Sequence, residues 1–396
     1  MEELGISKAA LKVRNWRKPC KLEIELAEHY YAKIYSSGSV VQGHLAISPA
    51  SDICASSITI SFDGTTTIRT VGQKLTATTT HRFLKIDLIS SDILELVSTT
   101  LTKNHSCKIP FQFTLPYQLD STACTHNVVS TTVTDKHLFL PPTIGAEWNR
   151  GDMSPGVVEV EYGINACVVS TPSLDTGHSQ DVMAKRAIRF IPRLTESPPL
   201  HVSLTSPRYK LQGTKSLRSN SFKRPFGIIS ATAMQPEPLH LQSYGTVITP
   251  SFIDVTLTFN PENDGITPPK LDGVSLSVRS YTWHQADPYQ AFPDQIETPS
   301  LKQPFTTTIV LTVECPQVTW ARHVDLSLHD SKQGNSSVAF YTSTLQLPLS
   351  VSTTDKTFLP TFHSCLVSRT YDVCLRLTFK KGYLTIIAPL QIIAEP

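Results

Sequence analysis

Apolar and polar residues alternate with a period of two along most of the chain. Leu22-Glu23-Ile24-Glu25-Leu26 alternates strictly, as do Ile58 to Phe62, Leu84 to Leu88, and the series Ile109, Phe111, Phe113, Leu115. Successive side chains of a strand point to opposite faces, so each segment predicts a half-buried β-strand. Val158, Val160, Tyr162, Ile164, Ala166 and Val168 extend the rule, and Ile188 to Ile191 predicts a short strand ahead of Pro192. Ser37-Gly38 and Asp63-Gly64 carry turn chemistry between strands.

The pattern breaks between Pro192 and Pro238, where repeated prolines accompany a Ser-rich basic run from Lys210 to Arg224. Alternation resumes in Ile253 to Phe259, Val274 to Val278, Ile309 to Val313 and Val324 to Leu328, and ends with Val373 to Phe379 and Leu384 to Ile387. Strands with one clean face each predict an all-β fold of two tandem antiparallel β-sandwiches of immunoglobulin-like type. Residues 1–196 form the first, 197–224 a basic Pro/Ser-rich junction and 225–396 the second. No long segment keeps a helical period, and Asp92 to Val97 is short enough for a strand or one helical turn. Helix content is therefore expected to be minor.

Length and composition agree: 396 residues suffice for two cores, charged residues are only 17%, and 28 prolines outnumber 17 glycines. A formal net charge of +2 exerts no global pull toward nucleic acid, and no nucleic-acid partner is expected. The first residues lack the apolar run of a secretory signal, and no stretch approaches the length of a membrane span, which predicts a cytoplasmic protein. Eight cysteines without CxxC or zinc-type spacing then read as free thiols, most of them small buried hydrophobes.

GxSxG, GxxxxGK[ST], GxGxxG and HExxH are all absent, so no catalytic residue and no cofactor is assigned. His363-Ser364-Cys365 offers two metal donors where a tetrahedral site needs four, and no metal is assigned on that pair. Local basicity is the one electrostatic feature. Lys185, Arg186, Arg189 and Arg193 are followed by Arg208, Lys210, Lys215, Arg218, Lys223 and Arg224. A solvated linker is the plain reading. The sharper one is that Lys210, Lys215, Arg218, Lys223 and Arg224 contact anionic lipid headgroups or a phosphorylated partner. Arg218 stands three residues before Ser221, a spacing that suits a basophilic kinase, and phosphate on Ser221 would offset the neighbouring charge.

Tyr35 to Leu45 followed by Ile58 to Gly64 resembles the opening strands of the arrestin amino-terminal domain in fungal arrestin-like (alpha-arrestin type) proteins. His137-Leu138-Phe139-Leu140-Pro141-Pro142-Thr143-Ile144-Gly145 is similar to the HLxLPPSxG element of that family, with Thr143 where Ser is usual. Leu359 to Tyr371, which includes Phe362, Cys365 and Arg369, is similar to the family's closing element. The motif residues themselves read as structural: Leu138 and Leu140 alternate as on a strand that the double proline stops. Phe362 and Cys365 are expected to pack, and His363 and Arg369 to tie neighbouring strands by hydrogen bonds.

The resemblance implies a non-catalytic trafficking adaptor at the plasma membrane or endosomes. Such a protein binds cytosolic segments of membrane transporters or receptors, or sorting machinery, and links cargo to ubiquitin-dependent endocytosis. Family members often recruit a HECT-type ubiquitin ligase through PPxY motifs. Here Pro141-Pro142, Pro198-Pro199 and Pro268-Pro269 are followed two residues on by Ile144, His201 and Leu271, so no PPxY motif is present and direct recruitment is not expected. Two alternatives stay open. One is an arrestin-fold scaffold subunit of a stable, retromer-like sorting complex. The other is an enzyme whose site is assembled from dispersed residues.

Overall fold

The computed structural model describes residues 20–71, 76–97, 99–148, 150–171, 181–193, 206, 208–218, 224–242, 247–263, 265–295, 303–324 and 339–394. Its architecture is overwhelmingly β, in sheets that are antiparallel except where Ile34–Tyr35 pairs with Arg189–Phe190 and Leu239–Leu241 with Ile392–Ala394. In the first half, β1 (Cys20–Leu26), β3 (Val40–Pro49) and β7 (Cys107–Thr114) form a three-stranded sheet in the order β1-β3-β7. Opposite it, β2 (Ile34–Tyr35), β9 (Asp181–Phe190), β8 (Val158–Ser170), β4 (Ile53–Val71) and β5 (Thr76–Asp87) follow one another in that order, with β6 (Thr100–Leu101) against β4.

In the second half, one sheet runs β10 (Gln212–Arg218), β11 (Pro225–Ala233), β14 (Ser251–Pro261), β18 (Ala339–Leu349), β17 (Ala321–Val324). The other runs β16 (Phe305–Leu311), β15 (Leu271–His284), β20 (Val367–Phe379), β19 (Phe362–His363), with β21 (Gly382–Leu390) also on β20. A small sheet joins β13 (Val247–Thr249), β12 (Leu239–Gln242) and β22 (Ile392–Ala394).

Period two explains the burial. On β14, Ile253, Val255, Leu257 and Phe259 are all 0% exposed while Asp254, Thr256 and Asn260 face solvent. Each such side chain contributes about 1.5–3 kcal/mol by leaving water. The buried residues gather into two main clusters. One contains Phe62, Phe113, Tyr162 and Phe190; the other contains Phe259, Leu276, Leu347 and Ile386. The segment 358–373 supplies both, because Leu359, Phe362, Leu366 and Val367 join the first cluster while Phe358, Tyr371 and Val373 join the second.

Several expectations are corrected. Asp63-Gly64 makes no turn: β4 continues through it with a register shift at Gly64/Thr65. The strand expected near 188–191 is the end of the longer β9. The junction expected over 197–224 contains β10, an edge strand held to β11 and bridged to β21 through Lys210 and Ile387. The 324–328 strand is described only as far as Val324.

Asp92 to Val97 lies in the helix α1 (Ser91–Val97), and His137 closes a second helix, α2 (Thr131–His137), instead of opening a strand. The physical reason is the spacing of Val133 and His137: four residues apart on a helix, both point inward, and both are buried. Leu138 is therefore half-buried, while Leu140 is buried as expected.

Downstream, the Tyr162 hydroxyl donates to the Pro141 carbonyl at 2.6 Å, and the Thr143 hydroxyl accepts the Phe190 N–H at 2.9 Å. Gly145 adopts φ +104°, a conformation that favours glycine, and its N–H reaches the Asp152 carboxylate at 3.0 Å. Among the described residues, no helix is long and apolar enough to cross a membrane.

Candidate functional site

Two groups of residues stand out as chemistry, and only one of them was foreseen. The first is the basic region. Of its ten cations, several serve the fold. Lys185 pairs with Glu161 at 2.7 Å, Arg189 is buried against Trp148 and Tyr31, and the Arg208 guanidinium lies 3.9 Å from the Tyr281 ring centre and 4.9 Å from that of Trp283. Lys210, Lys215, Arg218 and Arg224 are exposed, the first three along or just before edge strand β10. Lys223 and Ser221 lie outside the described residues.

The fold adds cations that spacing does not reveal. Lys215 passes beside Gly382, close enough that a Cβ there would meet its Cε at 3.2 Å. Gly382 follows Lys380-Lys381 at the exposed β20–β21 turn, so Lys215 and two residues 165 or more positions away share one basic corner. A groove of about 460 Å³ beside it is lined by Arg208, Tyr209, Lys210, Gln212 and Ile387. Its tyrosine is not poised for proton transfer: burial and Asp294, which accepts its hydroxyl proton at 3.0 Å, raise the Tyr209 pKa.

The second group is a cluster of Cys124, His126, His137 and Cys365, whose donor atoms all lie within 4.8 Å of one another. Cys124 follows a single 3-10 turn, Ser121–Ala123, which Asp120 caps by accepting the Thr122 N–H at 2.9 Å. His126 sits in the next loop, and His137 ends α2 on its inward face. Cys365 comes from the turn between β19 and β20, where the Tyr289 N–H donates to its carbonyl at 2.8 Å. The Cys124 Sγ lies 3.7 Å from Nδ1 of His126 and 3.7 Å from Nδ1 of His137. His126 Nε2 is 3.2 Å from the Tyr289 carbonyl. His363, expected to tie neighbouring strands by hydrogen bonds, instead packs its ring against Phe292 at 4.6 Å, with its Nδ1 buried and without a hydrogen-bond partner among the described residues.

Burial, with His126 and His363 adding positive charge, pushes the His137 pKa down to about 4. Burial and the neighbouring Cys124 push the Cys365 thiol up to about 12. A cysteine acts as a thiolate both as a nucleophile and as a metal ligand, so the raised thiol pKa by itself favours neither role.

All eight cysteines are free, but only Cys20 and Cys124 are buried, while Cys54 and Cys315 are exposed. The expectation that most would be buried hydrophobes is thus corrected, because Cys107, Cys167, Cys365 and Cys374 are only half-buried and Cys54 and Cys315 are exposed. No family model matches the chain, and no curated protein is significantly similar to it.

Proposed function

We propose that the protein is a non-catalytic, arrestin-like trafficking adaptor that binds acidic or phosphorylated cytosolic segments of membrane-protein cargo at an anionic membrane face. The observation that carries this reading is the basic corner built by edge strand β10 and the Lys380-Lys381 turn beside an open groove. Strand β10 ends its sheet and meets β21 on its other side at Lys210 and Ile387, and the cations around that groove favour an acidic peptide. The order of the arrestin-like motifs along both halves supports the adaptor class.

The test replaces Lys210, Lys215, Arg218 and Arg224 with Gln and measures binding to acidic liposomes and to phosphopeptides. Each removed cation is expected to cost about 1 kcal/mol of attraction to an anionic surface, and added salt should erase the difference between parent and variant. Exposed charges contribute little to folding, so thermal stability should change by less than about 0.5 kcal/mol. Equal binding by parent and variant at low salt would remove the support for this reading.

A further inference from the structure

Cys124, His126, His137 and Cys365 come from three separate places in the chain: a loop after a 3-10 turn, the end of α2 and the β19–β20 turn. Nothing in their sequence spacing unites them. The fold does, and it brings together two thiols and two imidazoles, the borderline-soft donor set that selects zinc over magnesium or calcium.

The distances match a single central ion. Zinc bonds of about 2.3 Å to sulfur and 2.0–2.1 Å to nitrogen, arranged tetrahedrally, hold a sulfur and a nitrogen ligand about 3.6 Å apart. The Cys124 sulfur lies 3.7 Å from Nδ1 of His126 and 3.7 Å from Nδ1 of His137, with Nε2 of His126 at 3.8 Å. With no donor pair beyond 4.8 Å, the whole set closes on an ion through shifts of about 1 Å or less. The outer shell is also in place. Nε2 of His126 faces the Tyr289 carbonyl at 3.2 Å, so it carries the proton and leaves Nδ1 free to ligate. Charge balances as well, since two thiolates, two neutral imidazoles and one divalent cation sum to zero in a site where Cys124 and His137 are buried.

We propose that these four residues form a closed tetrahedral zinc site that clasps the 124–137 segment of the first half to the 365 turn of the second. Four protein ligands leave no open position for substrate, so the ion is structural. On binding, the two thiols release their protons to solvent and no electron is transferred. The proposal stands apart from the adaptor reading, because it concerns what holds the two halves together and not what binds the basic corner.

The experiment uses the full chain, purified without chelator and analysed for metal by mass spectrometry. About one zinc per chain is expected, with Cys124→Ser, His137→Ala and Cys365→Ser each lowering affinity at least tenfold. Replacing the exposed Cys54 and Cys315 with Ser should leave zinc content unchanged. Since the ligand variants risk misfolding, cobalt exchanged into the parent protein gives an independent readout. The visible bands of tetrahedral, thiolate-ligated cobalt are expected, and they should vanish on adding zinc. Parent protein that takes up neither zinc nor cobalt when both are supplied under reducing conditions would overturn the proposal. So would a Cys124–Cys365 disulfide that persists in reductant.

Discussion

Arg369 is 0% exposed, yet it carries a full charge. Its guanidinium is held by acceptors from elsewhere in the chain: Nη1 donates to the Asp152 carbonyl at 2.9 Å and Nη2 to the Ser154 hydroxyl at 2.5 Å. Nη1 also donates to the Tyr371 hydroxyl at 3.3 Å, and that hydroxyl donates to the Leu359 carbonyl at 2.7 Å. These bonds fasten β20 to the loop before β8. Arg369→Leu leaves the Asp152 carbonyl buried without this donor, at about 1–3 kcal/mol, and takes a partner from the half-buried Ser154 hydroxyl, so a total loss of about 3 kcal/mol is expected in urea unfolding. Arg369→Lys should recover only part, because an ammonium lacks the planar fork that reaches several acceptors at once. A loss below about 0.5 kcal/mol in both variants would show that solvent or a neighbour takes over these bonds.

At the scale of the element, alternation is the determinant of burial, and β14 tests it cleanly. Leu257→Ala removes a side chain packed into the second core and should cost about 2–5 kcal/mol, whereas Thr256→Ala, one residue away on the solvent face, should change stability by less than about 0.5 kcal/mol. A similar cost for both would mean that β14 is not ordered as described. The same alternation made β1, β7, β8 and β14 legible beforehand. It failed at His137 because four apolar or half-buried positions in a row fit period two as well as the end of a helix, and only the inward pair Val133 and His137 decides between them. It failed at 212–218 because Ser, Thr and Lys on an edge strand read as linker, only Gly213 and Leu217 pointing inward. The Cys/His cluster was illegible for a different reason: spacing rules see ligands that are near in sequence, and Cys365 joins the others only through the β19–β20 turn. What the sequence did hold was the pair of motifs around His137 and Cys365, each singled out without sign that they meet.

The whole molecule is bound together by a segment that belongs to both cores. Leu359, Phe362, Leu366 and Val367 lie among the buried residues of the first cluster although they follow β10 to β18 of the second half. In the other direction, Met153 and Ile191 lie among those of the second. Cutting the chain near residue 200 therefore does not separate two complete cores. A fragment of residues 20–193 would lose four apolar side chains, and at about 1.5–3 kcal/mol each the loss is of the order of the whole stability of an average domain. We expect that fragment to show no cooperative unfolding transition, and adding the segment 358–373 as a peptide should not restore it, since β20 is held in place by β15 and β21. The full chain should unfold in one transition seen alike by tryptophan fluorescence, to which Trp283 and Trp320 in the second half, Trp148 between the clusters and Trp16 all contribute, and by far-ultraviolet circular dichroism. Two separated transitions, or a fragment that melts cooperatively on its own, would show that each half carries a sufficient core and that the shared segment is packing without consequence for the other half.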